Sequence, residues 1–215
     1  MAEIIDFYQI FFKPEQENKL FPFAIPYYNT ELTPFFENSV IKDLVLRSKA
    51  DKIAVCSWAL KFKMKLALRP LTADVLYEDF DVMSLSRNSK YHQMLNSAEV
   101  WHPGFIELLT KIMNKIGFGD PVNPKYPIYQ NAFIARAKVY KAYVRDFLVP
   151  AMEVMETDFK KECWQDSQYT KLKREPLTDK AKKQLGVGYY PMHPFICERF
   201  FSQWLQKQNL NVKYL

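Results

Sequence analysis

Glycine and cysteine are scarce in this chain, and their scarcity excludes several kinds of site. Five glycines and three cysteines occur among 215 residues. With so few glycines, and with neither a G-x-x-x-x-G-K-[ST] nor a G-x-G-x-x-G motif, a glycine-rich phosphate loop is disfavoured. The H-E-x-x-H and G-x-S-x-G motifs are also missing from the sequence. Cys56, Cys163 and Cys197 form no C-x-x-C pair, which argues against zinc or a disulfide framework and suits a reducing compartment.

Long apolar runs are missing as well. No segment approaches the roughly 20 apolar residues that a membrane helix needs. The N-terminal MAEIIDFYQIFFKPEQ has acids where a signal peptide has lysines, and its apolar run stops at Lys13-Pro14. We therefore expect a soluble cytoplasmic protein, free to make peripheral contact with the inner membrane.

The residues that are present are sufficient for one folded domain. Hydrophobic residues make up 48% of the chain and aromatic residues 16%. A chain of this length buries roughly 70% of its unfolded surface, so it needs no disulfide or structural metal. We predict a single domain over residues 1–215, with a basic loop or lid at about 157–190.

Positive charge is concentrated in two segments. The net charge is +6. Residues 47–69 carry seven Lys/Arg against one acid, and residues 160–183 carry eight against four. Such segments indicate an anionic partner, either a diphosphate, a phospholipid or a nucleic acid, or else a solvated lysine-rich face.

Apolar spacing predicts alternating strands and helices, which is typical of an α/β domain. Residues 21–29 contain Pro22 and Pro26 and should be extended and irregular. Pro150 should kink the helix that contains it. Within 157–190, only a short helix at 178–185 is expected. The remaining predicted elements are strands at 4–12, 52–58, 81–85, 129–134 and 211–214, and helices at 33–47, 105–116, 138–156 and from about 194.

An acidic cluster precedes one predicted strand. Asp79 and Asp81, with one residue between them, point to the same side of an extended chain. Two such carboxylates suit Mn²⁺ or Mg²⁺ bridging a diphosphate. The alternative is an acidic turn before a strand.

Polar and basic residues follow the first central strand. Ligands in open α/β sheets bind beyond the carboxyl ends of strands, where Ser57 and Trp58 are expected to lie. Trp58 could stack on a base or a sugar. Lys61, Lys63 or Lys65 could meet phosphate oxygens. The alternative is a core tryptophan followed by a solvated basic segment.

Four polar residues accompany the apolar pattern of the C-terminal third. Asn131 interrupts an apolar strand, where an amide needs a partner and could bind a sugar hydroxyl. Glu198 and Arg199 lie off the apolar stripe in the first turns of the last helix, and His193 precedes it. Glu198 or His193 could serve as a general base. The alternative is a capped helix with an exposed ion pair.

Several motifs in this region resemble those of small bacterial glycosyltransferases encoded with capsule and O-antigen synthesis. They are Asn131-Ala-Phe-Ile134 before an aromatic helix, then Phe195-Ile-Cys-Glu198-Arg199-Phe-Phe-Ser202. Upstream, Asp51-Lys-Ile-Ala-Val-Cys-Ser-Trp58 and Val100-Trp-His-Pro-Gly104 are also similar. Ala54 stands where that strand motif has glycine. The resemblance implies a GT-A-like (Rossmann-like) central mixed sheet flanked by helices, and sugar transfer from an activated donor.

On this interpretation, a nucleotide-diphosphate sugar lies near Ser57, Trp58, Lys61, Lys65 and Asp81, with Asp79 and Asp81 as metal ligands. The acceptor, a growing glycan or lipid-linked oligosaccharide, would be bound by Asn131, Arg199 and His102, with Glu198 or His193 as base. Two alternatives stay open: a non-catalytic accessory of the same pathway, and a nucleic-acid-binding module. The second has no recognisable motif, so no specific nucleic acid is expected.

Overall fold

A six-stranded mixed sheet forms the centre of the computed structural model, which describes residues 3–64, 70–85, 93–169, 171 and 176–215. The strand order is β2-β1-β3-β5-β4-β6, and β5 runs antiparallel to both of its neighbours. The other adjacent pairs are parallel. The strands are β1 (Ile5–Phe11), β2 (Ile25–Tyr28), β3 (Lys52–Ser57), β4 (Val82–Ser84), β5 (Phe133–Arg136) and β6 (Val212–Tyr214).

Helices flank the sheet. Short 3₁₀ helices occur at Pro14–Lys19 and Asp74–Tyr77, and a π-helical segment at Val144–Leu148. None of the helices in the described ranges combines the length and hydropathy needed to cross a bilayer. The α-helices are α1 (Glu37–Arg47), α2 (Leu60–Lys63), α3 (Met94–Trp101), α4 (Phe105–Lys115), α5 (Ala137–Tyr143), α6 (Val149–Glu156), α7 (Lys160–Cys163), α8 (Asp179–Leu185) and α9 (His193–Leu205).

The two faces of the sheet are covered differently. Side chains alternate along a strand, so Ile53 and Val55 lie on one face of β3 and Ala54 and Cys56 on the other. The first face packs against the main helical layer, where Phe133 of β5 stacks on a phenylalanine of α9 with ring centroids 3.8 Å apart. The second face is covered by a smaller apolar cluster that includes residues of α2 and the second 3₁₀ helix.

The strand directions define two edges of the sheet. Five strands end at the same edge, and β5 begins there. We call this the carboxyl edge, which contains Ser57 and Phe133, and the other the amino edge, which contains Lys52 and Arg136. The five steps from Lys52 to Ser57 separate the two edges by about 17 Å.

The predicted α/β class is confirmed, with most of its elements. Strand β2 was not predicted, because it contains Pro26 and mostly exposed residues and therefore lacks the apolar pattern of a buried strand. It is an edge strand, where a missing N–H is tolerated. Helix α3 was also missed. The strand predicted over 129–134 begins only at Phe133. The helix predicted over 138–156 contains a π-helical segment, Val144–Leu148, shortly before Pro150, where the sequence predicts a kink.

The segment 157–190 contains more structure than predicted. Its short helix is confirmed as α8, where Thr178 accepts a hydrogen bond from Ala181 N. Helix α7 was not predicted. Lys65 and residues 170 and 172–175 lie outside the described residues, so the structure gives no position for that predicted phosphate-binding lysine.

Candidate functional site at the carboxyl edge

A tight turn over residues 129–132 brings Asn131 to the carboxyl edge. Ala132 N donates to Tyr129 O at 3.1 Å, and Gln130 and Asn131 have φ values of 55° and 54°. Few residues other than glycine adopt such angles, although asparagine does so more readily than most. Asn131 is therefore a turn residue, and its predicted position inside a strand is wrong. From the turn its Nδ2 reaches Asn38 Oδ1 at 3.4 Å.

The loop that leads into this turn is held by two side chains of α9. Ser202 Oγ accepts from Ile128 N and donates to Ile128 O, each at 2.8 Å. Gln203 makes the equivalent pair with Val122, at 2.9 and 2.8 Å. These side chains satisfy loop backbone groups in the way a neighbouring strand would. We call this set of four hydrogen bonds the α9 clasp.

Arg199 of α9 is buried at the centre of the site. Its side chain is 3% exposed. Its Nη1 donates to Phe195 O at 2.8 Å and to Glu198 Oε2 at 2.9 Å, and its Nη2 donates to Tyr129 Oη. The guanidinium also lies over the Tyr129 ring, 4.5 Å from its centroid. Arg199 thus joins the last helix to the turn.

Glu198 is the partly accessible acid of the site. Its side chain is 23% exposed. Burial raises the pKa of its carboxyl group, the charges of Arg199 and Lys63 oppose that rise, and the charge of Glu37 adds to it. A carboxyl group with a raised pKa is suited to accept a proton near neutral pH.

Two elements complete the surroundings of Glu198. Lys63, the last residue of α2, donates from Nζ to Gln130 O at 3.3 Å. Asn38 in the first turn of α1 is 1% exposed and donates to Phe35 O at 3.1 Å. We call the assembled group the carboxyl-edge cluster. It consists of Glu37, Asn38, Lys63, Tyr129, Asn131, Glu198 and Arg199.

The predicted donor residues divide between two places. Ser57 follows Cys56, whose Sγ lies 3.3 Å from Asn131 O, so Ser57 is beside the cluster. Its Oγ is buried and finds no partner among the described residues. Trp58 instead lies beneath Lys19 Nζ, 4.9 Å from its ring centroid. Lys61 donates to Leu20 O at 3.0 Å and is therefore fixed beside the same segment.

Neither predicted histidine is open to a ligand. His193 is fully buried, and its Nε2 lies 2.7 Å from Glu156 Oε1. Burial lowers its pKa, which the nearby carboxylate partly opposes. His102 is stacked on Phe195, with ring centroids 3.8 Å apart, and burial lowers its pKa to about 4. The charge of Arg199 contributes to this lowering of the pKa, and the hydrogen bond between Nδ1 and Ser167 O opposes it.

Asp79 and Asp81 lie at the amino edge and not beside Ser57. The register places Val82 opposite Ala135, so Asp81 is level with Arg136. Arg136 Nη2 donates to Asp79 at 2.5 Å, and its Nε lies 3.4 Å from Asp81. The predicted association of Asp81 with Ser57 is wrong, because the sheet separates them by about 17 Å.

A cavity of about 390 Å³ adjoins the cluster through Phe36, the residue that precedes Glu37 in the chain. It lies between the ends of β1 and β2, the start of α1, and α8, which Gln184 joins to Thr30 O at 3.1 Å. None of its residues could be predicted as a site from the sequence, because they come from four separate segments. Phe36 lines it and has φ 52°, a strained conformation that often accompanies a functional site.

Comparison of the chain with protein-family models, with curated proteins and with solved structures finds no match in any of the three. Any function assigned to the chain therefore rests on the geometry of its carboxyl edge.

Proposed function

We propose that the protein is a glycosyltransferase that moves a sugar from a nucleotide-diphosphate donor to a hydroxyl of a growing surface polysaccharide or related glycan. The observation that carries the proposal is the association of Glu198, Arg199 and Asn131 at the carboxyl edge, beside an open cavity. Ligands of α/β sheets bind at this edge. The mixed sheet, with β5 antiparallel inside it, also supports assignment to the GT-A-like class.

In this proposal Glu198 is the general base. Its Oε2 is held by Arg199, which leaves Oε1 to accept the proton of the acceptor hydroxyl. The acceptor oxygen then forms a bond to C1 of the donor sugar, and the bond from C1 to the diphosphate oxygen breaks. The raised pKa of Glu198 fits this task, since a base works best when its pKa is near the working pH.

Lys63 and Asn131 have supporting roles. The charge of Lys63 acts on Glu198, and the ammonium group is available to the negative charge that develops on the leaving diphosphate. Within the described residues, the side-chain amide of Asn131 makes one hydrogen bond, which is long at 3.4 Å, so a sugar hydroxyl can compete for it. Neither role requires Lys65, the predicted phosphate-binding residue that lies outside the described residues.

The predicted metal ligands do not fit a divalent ion. Asp79 and Asp81 both face Arg136, and a cation between them would have to displace the guanidinium. No step is therefore assigned to a metal at these residues. His193 is also left out of the chemistry, because Glu156 and the surrounding rings enclose it.

The second candidate is an accessory protein of polysaccharide synthesis that binds without transferring. One observation favours it: the two carboxylates predicted to serve the diphosphate lie at the wrong edge of the sheet. Both candidates predict ligand binding at the carboxyl edge, so only turnover distinguishes them.

The experiment has two stages. A thermal-shift screen against UDP-, GDP-, CMP- and dTDP-sugars identifies the donor, since a ligand that binds only the folded state raises its stability. Release of the nucleotide diphosphate is then measured for the wild type and for Glu198→Gln. Turnover that the substitution abolishes supports the transferase. Binding without turnover supports the accessory, and no shift with any donor contradicts both.

A further inference from the structure

The cavity beside the carboxyl-edge cluster has the features of a built ligand site. Its volume of about 390 Å³ lies within the range of small-molecule pockets, roughly 300 to 1,000 Å³. Its walls are mainly apolar and include Phe12, Leu32 and Leu177. A mostly apolar cavity with a few polar groups is the usual composition of such sites.

Two aromatic rings form one side of this cavity. Phe36 and Tyr190 stack with ring centroids 5.9 Å apart and an interplanar angle of 25°. The strained backbone of Phe36 places its ring here, at the residue that precedes α1. Flat aromatic faces are suited to the apolar C–H face of a pyranose ring, which combines an apolar body with polar edges.

A buried amide in the cavity wall needs an acceptor. Asn29 is 7% exposed, and its Oδ1 accepts from Glu31 N at 3.3 Å. That bond fixes the amide, and its Nδ2 finds no hydrogen-bond acceptor in the part of the chain that the structure describes. A buried N–H donor without a hydrogen-bond acceptor destabilises the folded protein. A hydroxyl or carboxylate oxygen of a ligand would satisfy it.

The charges at the cavity favour an anionic ligand. Lys13 and Lys180 line it from opposite sides, together with one acid, Glu31. Among the described residues, neither lysine has a carboxylate within ion-pair distance, whereas Lys182 on the same helix is paired with Asp179 at 3.1 Å. The two lysines of the cavity are therefore available to a ligand.

We infer that this cavity binds an acidic sugar, a uronic acid unit of the acceptor glycan. The inference rests on the proposed transferase function. Phe36 lines the cavity, and the next residue, Glu37, contributes to the electrostatic environment of Glu198. The cavity therefore adjoins the carboxyl-edge cluster through the first residues of α1, and in the proposed function a glycan held at Phe36 and Tyr190 is bound next to the catalytic group. The aromatic pair binds the ring, Asn29 binds an oxygen, and the lysines bind the carboxylate.

The test compares charged and neutral forms of the same sugars. Trigalacturonic acid and a hyaluronan tetrasaccharide are titrated calorimetrically into the full chain, each beside its methyl ester, which keeps the rings and removes the charge. We expect at least one acid to bind about ten-fold more tightly than its ester. Equal affinity of each acid and its ester, or no binding of either, would overturn the inference.

Matched variants locate the binding. Lys180→Ala should lower the affinity for the acidic sugar about five-fold, which is the upper range for one exposed charge contact. Lys182→Ala, two residues along α8 and already paired, should leave the affinity unchanged. Asn29→Asp keeps the oxygen that accepts from Glu31 N but removes the Nδ2 donor, so it should also weaken binding. Equal effects of the two lysine variants would show that the affinity comes from general surface charge, and the cavity would be rejected as the binding site.

A nucleotide also combines a ring with an anion, so UMP and GMP are titrated in parallel. If either nucleotide competes with the acidic sugar and loses affinity in Lys180→Ala, the cavity belongs to the donor and the inference fails.

The outcome for the cavity is distinguishable from the outcome for the transferase proposal. Acidic sugar binding without donor turnover would leave the cavity as a glycan site of an accessory protein, while turnover with no effect of Asn29→Asp or Lys180→Ala would reject only the cavity.

Discussion

Arg199 and Glu198 are consecutive residues of one helix, yet the arginine turns back to donate to the glutamate at 2.9 Å. Arg199 is buried while Glu198 keeps 23% of its side chain exposed. The arginine therefore fixes one carboxylate oxygen, while part of the glutamate side chain stays accessible. Substitution of the glutamate should therefore affect mainly the chemistry, and substitution of the arginine should affect the fold as well.

Glu198→Gln is expected to abolish transfer without destabilising the protein. Loss of a general base costs about 10²- to 10⁴-fold in turnover. The amide oxygen of glutamine can still accept from Arg199, and the substitution removes a carboxylate whose raised pKa indicates that its charged form is disfavoured by folding. The melting temperature should therefore be equal or higher at pH 7. A marked fall in melting temperature would make Glu198 a structural residue.

Arg199→Lys should lower both stability and transfer. Lysine cannot reproduce the three directed hydrogen bonds to Phe195 O, Glu198 and Tyr129, and it leaves buried acceptors unpaired. We expect a loss of about 3 kcal/mol in the free energy of unfolding, measured by urea denaturation. Tyr129→Phe is the control, since it removes one of these bonds and should cost about 1 kcal/mol. Equal costs for the two variants would contradict the central position of the arginine.

His193→Gln should affect stability and leave catalysis intact. The glutamine amide can donate to Glu156 in place of Nε2, but the imidazole contacts with Phe35 and Trp164 are lost. We expect a destabilisation of about 1–2 kcal/mol and a turnover per folded molecule within about two-fold of the wild type. If turnover per folded molecule instead fell about 10²-fold, His193 would be the general base after all.

His102 should make the protein less stable in mild acid. Its pKa is about 4 in the folded state against an ordinary value of 6.5, so between these values the unfolded chain binds more protons. Stability should therefore fall as the pH drops from about 6.5 to about 4, by up to about 3 kcal/mol from this residue. Thermal melts at several pH values measure the slope. His102→Asn, which can still donate to Ser167 O, should flatten it, and an unchanged slope would contradict the assignment.

Asp79→Asn is expected to leave transfer unchanged. Asp79 is 84% exposed and contacts Arg136 at the edge of the sheet far from Glu198. Turnover with and without added Mn²⁺ should match the wild type within about two-fold. A selective loss of the Mn²⁺-dependent rate would show that these acids bind a metal during the reaction.

Local patterns were sufficient to predict most of the fold. The apolar stripes of α4 and α9 and the apolar run of β3 identify their own elements, because burial imposes the periodicity directly. Strand β2 is an exposed edge strand that contains Pro26, so it carries no such pattern. The start of β5 was misplaced because the turn before it depends on backbone angles at Gln130 and Asn131, which no apolar spacing indicates.

The site was predicted only in part, for a related reason. Glu198 and Arg199 were predicted in the first turns of the last helix, but side chains at i and i+1 do not face each other, so the burial of Arg199 and its turn back to Glu198 could not be expected from the helix alone. The enclosure of His193 depends on Glu156 and Trp164, which lie on other elements. The location of Asp81 depends on sheet register, which a single strand does not reveal. Asn38 carries a sequence signal for the site, because it lies within the apolar stripe of α1, where a buried amide indicates a partner.

The α9 clasp has a mechanical consequence. Ser202 and Gln203 join α9 to the loop that carries Tyr129, while Glu198 and Arg199 lie one turn earlier on the same helix. These four hydrogen bonds therefore tie the acid and the arginine of α9 to the turn, and a movement that separates α9 from the loop has to break them. In the proposed transferase we therefore expect the opening that admits a glycan to occur on the other side of the cavity, where Gln184 of α8 donates to Thr30 O in the loop after β2.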